Sequence, residues 1–570
     1  MLESGSQAQS RQFNTVNTAS VSVAGNPFQT LPPVTTRDID GTRSGVPVCE
    51  LADMVLPPRQ FADRILSCYW NHNHVLLPVL HRPSFTAEYE RLWQPVDQQQ
   101  YQQDRGPQTT IFYATLNVVL ALGCQHSESI EESVEDRRLA DEFYQRSLKF
   151  VSVENVDKYT LSVVQLLVLR SSYLLYGPYA DRCWTLLIVA IKAAEAIGLG
   201  AAKSRMAPLN QLTREMRRRV WYCCLAMDRL TAATFGQAPL IPETQVVPAP
   251  AEIDDEYLSS TEEGRQPEGV PSFMTCNIYF YKLYSIRDRR SELEEAYIQQ
   301  KHGRYSGREL GIAMDILSDL DRCLDGLPDF LKPGGYVPSC RYRDSFEMQA
   351  NTLQARAMFL RLWLLQPFLL AEIQKRTAAN PPLAAPPASA SVSERLEQRL
   401  RDDMSKLCVS VAQEVLDMLH GAMLGITKRT SPWHVLYFTF AAGSVIVAAT
   451  LCPELGIRLD SGTGRASWDQ AVQIFRFYRQ HVLTADKALE ALELFRRCVM
   501  KRAEAARVPE GDWSISEGIL ADSNPAFDPG MVGPLSVDWN QLSDANSLDM
   551  AWLTSQDVML EDWLLPAAVS

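Results

Sequence analysis

Few side chains in this sequence have the type and spacing for chemistry. His72, His74 and His81 form its only histidine cluster, in NHNHVLLPVLHRP. Zinc ligation from a helix asks for histidines three or four apart, and His72 and His74 are two apart, so they do not share a helix face. They read instead as polar residues at a helix end, satisfying carbonyls or capping needs. Cys223-Cys224 lies inside VWYCCLAMDRL and belongs to no C-x-x-C, so packing is expected rather than redox chemistry. Arg214 and Arg217-Arg218-Arg219 make a basic cluster that could touch phosphate or an acidic partner. Such a run more often forms a solvated face with its own acids, and Glu215 is adjacent. Gly198 to Ser204 has the look of a phosphate loop, but Ala202 stands where a glycine must precede Lys203, which leaves a helix end and a loop. There is no H-E-x-x-H, G-x-S-x-G or G-x-x-x-x-G-K-[ST]. No catalytic, cofactor-binding or metal residue is assigned, and an enzyme is not expected.

The elements around these residues are helical. With 570 residues the chain has length for two to four domains, and 46% hydrophobic content is that of a globular protein. Twelve scattered cysteines form no disulfide framework, and the N-terminus has no apolar signal core. Helical periodicity or apolar runs mark Ile111–Cys124, Glu135–Val151, Thr160–Tyr176, Asp181–Ile197 with a stop at Gly198, and Thr213–Thr234. Further helices are expected at 271–300, 307–326, 345–376 with a kink or break at Pro367, 393–421, 433–451 and 467–507. The stretch 378–392 (AANPPLAAPPASASV) reads as a Pro/Ala-rich solvent loop. Val435–Cys452 is uncharged and reaches the length of a membrane span, yet a buried helix is the favoured reading and no membrane association is expected. No hairpin signals appear. The expected class is all-α, one large helical domain over 51–507 with room for two lobes, flanked by disordered segments.

Those flanks differ from each other. Residues 1–50 are rich in Ser, Thr, Gln and Pro and bury too little to order. The net charge of -13 lies almost wholly in the other flank, because 509–570 hold 11 acidic residues and no Lys or Arg. Among those acids stand Trp539, Trp552, Leu553, Leu560, Trp563 and Leu564. Acids interleaved with bulky apolar groups are the composition of an activation segment, able to dock as a short amphipathic helix in a partner's groove. The 508–570 tail is therefore expected to contact a coactivator or the general transcription machinery.

The segment LPPRQFADRILSCYWNHNHVLLPVLHRPSFTAEYERLW (56–93) resembles the opening of the fungal-specific transcription factor domain, the middle homology region of zinc-cluster regulators. Pro78, His81, Arg82, Pro83 and Phe85, with Leu80, match its P-h-L-H-R-P-x-F hallmark. FYATLNVVLALGCQHS (112–127), ADEFYQRSLKFV (140–151), the helix pair at 160–200 and MRRRVWYCCLAMDRLTAATFGQAPLIPE (216–243) follow in the family's order. The last contains Asp228-Arg229 and Gly236-x-x-Pro239, for which the residues suggest an internal ion pair and a turn. LDRCLDGLPDFL (320–331) and ARAMFLRLWLLQPFL (355–369) are also similar, so the resemblance covers about residues 50 to 500.

The resemblance implies a nuclear regulator of transcription whose helical domain sets activity, dimerisation as a homo- or heterodimer, or effector response; with the acidic tail, the expected role is activation of RNA polymerase II genes such as a metabolic or biosynthetic cluster. The resemblance also implies a zinc cluster of six cysteines beginning C-x2-C-x6-C. Here Cys49 is the only cysteine before Cys68, and the first 50 residues offer only Arg11, Arg37 and Arg43 as bases. No zinc site is therefore assigned, and direct DNA binding is not expected from these residues. The cluster has been lost, lies upstream of Met1, or is replaced by a DNA-bound partner. A helical small-molecule receptor or enzyme derived from the regulatory domain is the alternative reading.

Overall fold

The structure is a computed structural model that describes residues 56–94, 107–125, 133–156, 158–175, 180–201, 209–235, 238–242, 247–301, 307–337, 340, 342–377, 391–423, 432–479 and 485–505. Among the described residues there are helices and no strands, as the sequence requires. The assignments of 1–50 and 508–570 as disordered flanks lie outside them.

The first helices are α1 (Arg59–Cys68), which runs into a π-helical turn at Tyr69–His74, and α2 (Arg82–Arg91). Then come α3 (Pro107–Cys124), α4 (Ser133–Phe150), α5 (Leu161–Leu175), α6 (Ala180–Ala196) and α7 (Gln211–Phe235). The expected helix at 271–300 is two, α8 (Met274–Asp288) and α9 (Arg290–Lys301), followed by α10 (Arg308–Asp325). The long α11 (Arg343–Thr377) continues through Pro367, which neither ends nor divides it. After α12 (Val392–Ala422) and α13 (Pro432–Ala449), the expected 467–507 helix is again two, α14 (Gly462–Tyr478) and α15 (Ala485–Ala505).

Local chemistry sets several of these ends. Gly198, at φ 72°, closes α6, and the Leu199 amide donates back to the Ala194 carbonyl at 2.9 Å. Ser391 begins α12 with a capping box: its hydroxyl accepts from the Glu394 amide at 3.1 Å, and the Glu394 carboxylate accepts from the Ser391 amide at 2.7 Å. The last two residues of the expected Pro/Ala-rich loop thus start a helix, and 378–390 lie outside the described residues.

Two buried hydrophobic clusters form. One gathers α1 to α7, with α3 packed against α1, α4 and α5. The other gathers α8 to α15, and Val75, just past the π-turn, belongs to it. α13 is apolar all round because it is enclosed by α11, α12, α14 and α15; Val435 to Ala449 are buried throughout. Among the described residues no helix is long and apolar enough to cross a membrane.

Two glycines permit the closest helix approaches. A Cβ at Gly123 on α3 would collide with the Ile65 carbonyl of α1, and one at Gly443 on α13 would stand 2.9 Å from Leu492 on α15. The first obstacle is backbone and cannot rotate away. Gly123→Ala should therefore lower stability by about 1–3 kcal/mol, the usual range for overpacking. A urea midpoint equal to wild type would show that α1 and α3 can separate freely.

Candidate functional site

Two hallmark residues, His81 and Arg82, meet Asp255, a buried residue on which His74 and Arg219 also converge. The π-turn keeps Trp70 and His74 on one side, their rings 4.9 Å apart, and buries both. His74 Nε2 donates to Asp255 Oδ2 at 3.1 Å, 181 residues away in sequence. Asp255 opens a short 3-10 turn, Asp255–Tyr257, shortly after Pro248 and Pro250. Its other oxygen meets the Arg219 guanidinium of α7, which also donates to the Ile253 carbonyl at 2.6 Å. His74, Arg219 and Asp255 are each fully buried.

His81 and Arg82 complete the arrangement from the start of α2. His81 is the N-cap: its Nδ1 accepts from the Ser84 hydroxyl at 2.7 Å, while its Nε2 donates to the Asp255 carbonyl at 2.9 Å. The Arg82 amide donates to Asp255 Oδ2 at 2.8 Å. Pro83 occupies the first turn, where no amide hydrogen is needed. Phe85 inserts beneath, edge-on to Trp70 at 5.5 Å, and Pro78 is buried. The third histidine stands apart, since His72 Nδ1 faces the Cys68 carbonyl at 3.0 Å.

Neighbouring Asp254 fixes the start of α8. It accepts from the Ser272 hydroxyl at 2.7 Å and the Phe273 amide at 3.0 Å, and Gln266 spans its amide and carboxylate. A second knot lies on α7. Asp228 accepts from the Leu240 and Ile241 amides, both at 2.9 Å, and from Arg229 at 2.7 Å. Arg229 also donates to Asp288 at the end of α8, at 2.6 Å. Pro239 is exposed in the returning segment, and Gly236 lies outside the described residues.

Burial alone would raise the Asp255 carboxyl, but Arg219, His74 and the Arg82 amide outweigh it and hold it well below the usual carboxylate range. At Asp228 and Asp254 burial prevails, and each is raised despite its donors. The neighbouring thiols are inert: burial pushes Cys224 up to about 12 and Cys223 well above its ordinary value. Among the described residues no three His, Cys, Asp or Glu side chains converge to hold a metal. With its oxygens saturated and solvent excluded, the Asp255 knot can lock segments together and offers no reacting group to a substrate.

The arginine run is only partly a solvated face. Arg218 pairs with Glu215 at 2.7 Å and Arg217 donates to the Ile197 carbonyl at 2.7 Å, but Arg219 is a core residue. Its burial has a signal in the sequence: it lies three residues after Met216 and four before Cys223, on the apolar stripe of α7. Asp254 and Asp255 lie in a charged stretch, and only their place directly after the apolar Ile253 marks them out. Trp539, Trp552, Leu553, Leu560, Trp563 and Leu564 lie outside the described residues.

Residues 66–297 match the family described as the fungal specific transcription factor domain. The match contains every residue of both knots and stops short of the family-like segments at 320–331 and 355–369. The sorbicillinoid biosynthetic cluster transcription factor 2 of Penicillium rubens is 23% identical over 413 residues, covering 70% of this chain and 56% of that protein. The positive regulator of purine utilization of Emericella nidulans is 24% identical, covering 44% of this chain and 28% of its own length. The activator of stress genes 1 of Saccharomyces cerevisiae is 24% identical, covering 58% and 34%. The chain thus spans about half or less of the length of these relatives, all of them fungal proteins whose names denote regulators.

Asp255→Asn keeps the shape and removes the charge, leaving Arg219 buried beside a neutral amide. Breaking a buried pair in this way costs about 3–5 kcal/mol. Because the folded Asp255 is depressed, its contribution is present above the unfolded carboxyl value of about 3.9 and is lost as pH falls below it. Stability of the native chain should therefore drop more steeply with acid than that of Asp255→Asn. Parallel curves of unfolding free energy against pH for the two proteins would refute the ionised knot.

Proposed function

We propose that the chain is a fungal transcriptional regulator and acts as an activator in the nucleus. The observation that carries this reading is the match of residues 66–297 to the fungal specific transcription factor domain. Its support is the interlocked geometry of the hallmark residues and relatives named as cluster transcription factors or activators. Two of these are named for sorbicillinoid biosynthetic clusters, which favours a biosynthetic gene cluster as the target. The helical domain is a scaffold rather than a catalyst in this reading. The proposed domain division is 1–50, 51–507 and 508–570.

The 509–570 tail is proposed as the recruiting segment. Its 11 acids hold its aromatics in water until Trp539, Trp552, Leu553, Leu560, Trp563 and Leu564 bury against a coactivator. Residues 1–570 contain no C-x2-C-x6-C run. DNA contact is therefore assigned to a zinc cluster or partner beyond these residues, with the chain acting as a homo- or heterodimer.

The test is a reporter driven by the full chain fused to an unrelated DNA-binding domain. Removing 509–570, or replacing Trp552, Leu553, Trp563 and Leu564 together by Ala, should cut reporter output about tenfold or more, since a few large apolar anchors dominate such interfaces. Unchanged output at equal protein level would eliminate the tail's role.

A further inference from the structure

A recess lies between α7, α8, α11 and α13, and its wall is built from helix-spaced stripes. α8 turns Phe280 and Tyr284 toward it, four residues apart. α11 contributes Arg356, Phe359 and Trp363, at spacings of three and four, and α13 contributes His434 and Tyr437. It opens to solvent and is lined mainly by apolar and aromatic side chains, the lining typical of small-molecule sites. A neighbouring hollow shares Leu230, Phe280, Tyr284 and Arg356 with it.

The cations of this wall are not equivalent. Arg229 is committed to Asp228 and Asp288. Arg287 lies over Trp363, its guanidinium carbon 5.0 Å from the ring centroid. Arg356 forms no ion pair with any described carboxylate. It donates to the Tyr284 hydroxyl at 3.1 Å and lies 4.2 Å from the Phe280 ring centroid, and its buried Nε finds no acceptor. A guanidinium carries five donors in a planar fork, so most of its capacity is unspent. His434 does not compete for an anion, since burial and Arg356 hold it well below its ordinary value and therefore neutral. Flat rings stand close by, with Phe359 5.1 Å from Tyr437 between centroids.

We propose that this recess binds a small organic anion with a flat apolar body, its carboxylate or equivalent group on Arg356 and its body among Phe359, Trp363 and Tyr437. The free cation supplies charge complementarity and the aromatic wall supplies stacking area. A concavity enclosed by four helices admits a small molecule more readily than a folded partner. The inference stands apart from the proposed transcriptional role, because binding is read on the purified chain and transcription on a reporter.

The experiment uses the full chain and two fluorescent probes of nearly the same shape, anionic 1-anilinonaphthalene-8-sulfonate and neutral N-phenyl-1-naphthylamine. The anion should bind saturably. Arg356→Met should weaken it about tenfold or more, as loss of a charge-assisted contact does, and leave the neutral probe within about twofold. Arg356→Lys should restore most of the anion's affinity. Circular dichroism and a melting curve establish that the variants are folded. A competition on the native chain needs no variant: 2-naphthoate should displace the anionic probe at concentrations where 2-naphthamide does not. Equal displacement by acid and amide, or an anion affinity indifferent to Arg356→Met in a folded protein, would overturn the proposal.

Discussion

The Asp255 carboxylate is the constraint on which the N-terminal half is built. A charge with no solvent exposure must be met by donors at hydrogen-bond distance, because nothing else replaces its hydration. Its donors come from the π-turn, the first residue of α2 and the middle of α7. Three segments distant in sequence thus donate to one carboxylate, which ties their positions together. Asp254, one residue earlier, extends the constraint to the start of α8. Two adjacent carboxylates thus fix the relative positions of segments that lie up to 181 residues apart.

The two hydrophobic clusters are joined by the same logic with neutral groups. The Val75 carbonyl, directly after the π-turn, accepts from Asn277 of α8 at 2.9 Å and from Gln349 of α11 at 2.8 Å. Gln349 also donates to the Phe273 carbonyl at 3.0 Å. Apolar packing is non-directional and tolerates sliding. These amides do not tolerate it, so they set how the second cluster meets the π-turn. Val75 is the C-cap of the π-turn, where a carbonyl has no partner within the helix.

Helix existence was legible because it rests on short-range periodicity: α3, α5, α6 and α7 lie within a few residues of the stretches their apolar spacing marks. Breaks were less legible. The 271–300 and 467–507 stretches each resolve into two helices, and in the first the junction between Asp288 and Arg290 carries no proline or glycine. Of the kink or break expected at Pro367 the break does not occur, since enclosure of α11 by its neighbours sustains the helix through a residue that lacks a donor. His81 and Arg82 were legible as a motif but not in their role, because their partner is 173 or 174 residues distant. Arg219 shows the same limit. An arginine within a run of three reads as surface until the acid that neutralises it is known.

The paired arginines and Arg356 lead to opposite conclusions by one argument. In the Asp255 and Asp228 knots every guanidinium faces a carboxylate, and such buried pairs contribute position more than stability, since desolvation offsets much of their attraction. They need no further partner to explain them. Arg356 lies on a helix that the second cluster packs as tightly as any other, yet it faces a neutral hydroxyl and aromatic faces where the knots would have an acid. Arg170, fully buried on α5, spends its donors on the Ser147 hydroxyl and the Ser147 and Val151 carbonyls, whereas Arg356 meets the Tyr284 hydroxyl alone and its Nε has no acceptor. The wall around Arg356 is aromatic instead, which is the arrangement expected where the negative charge arrives with a ligand.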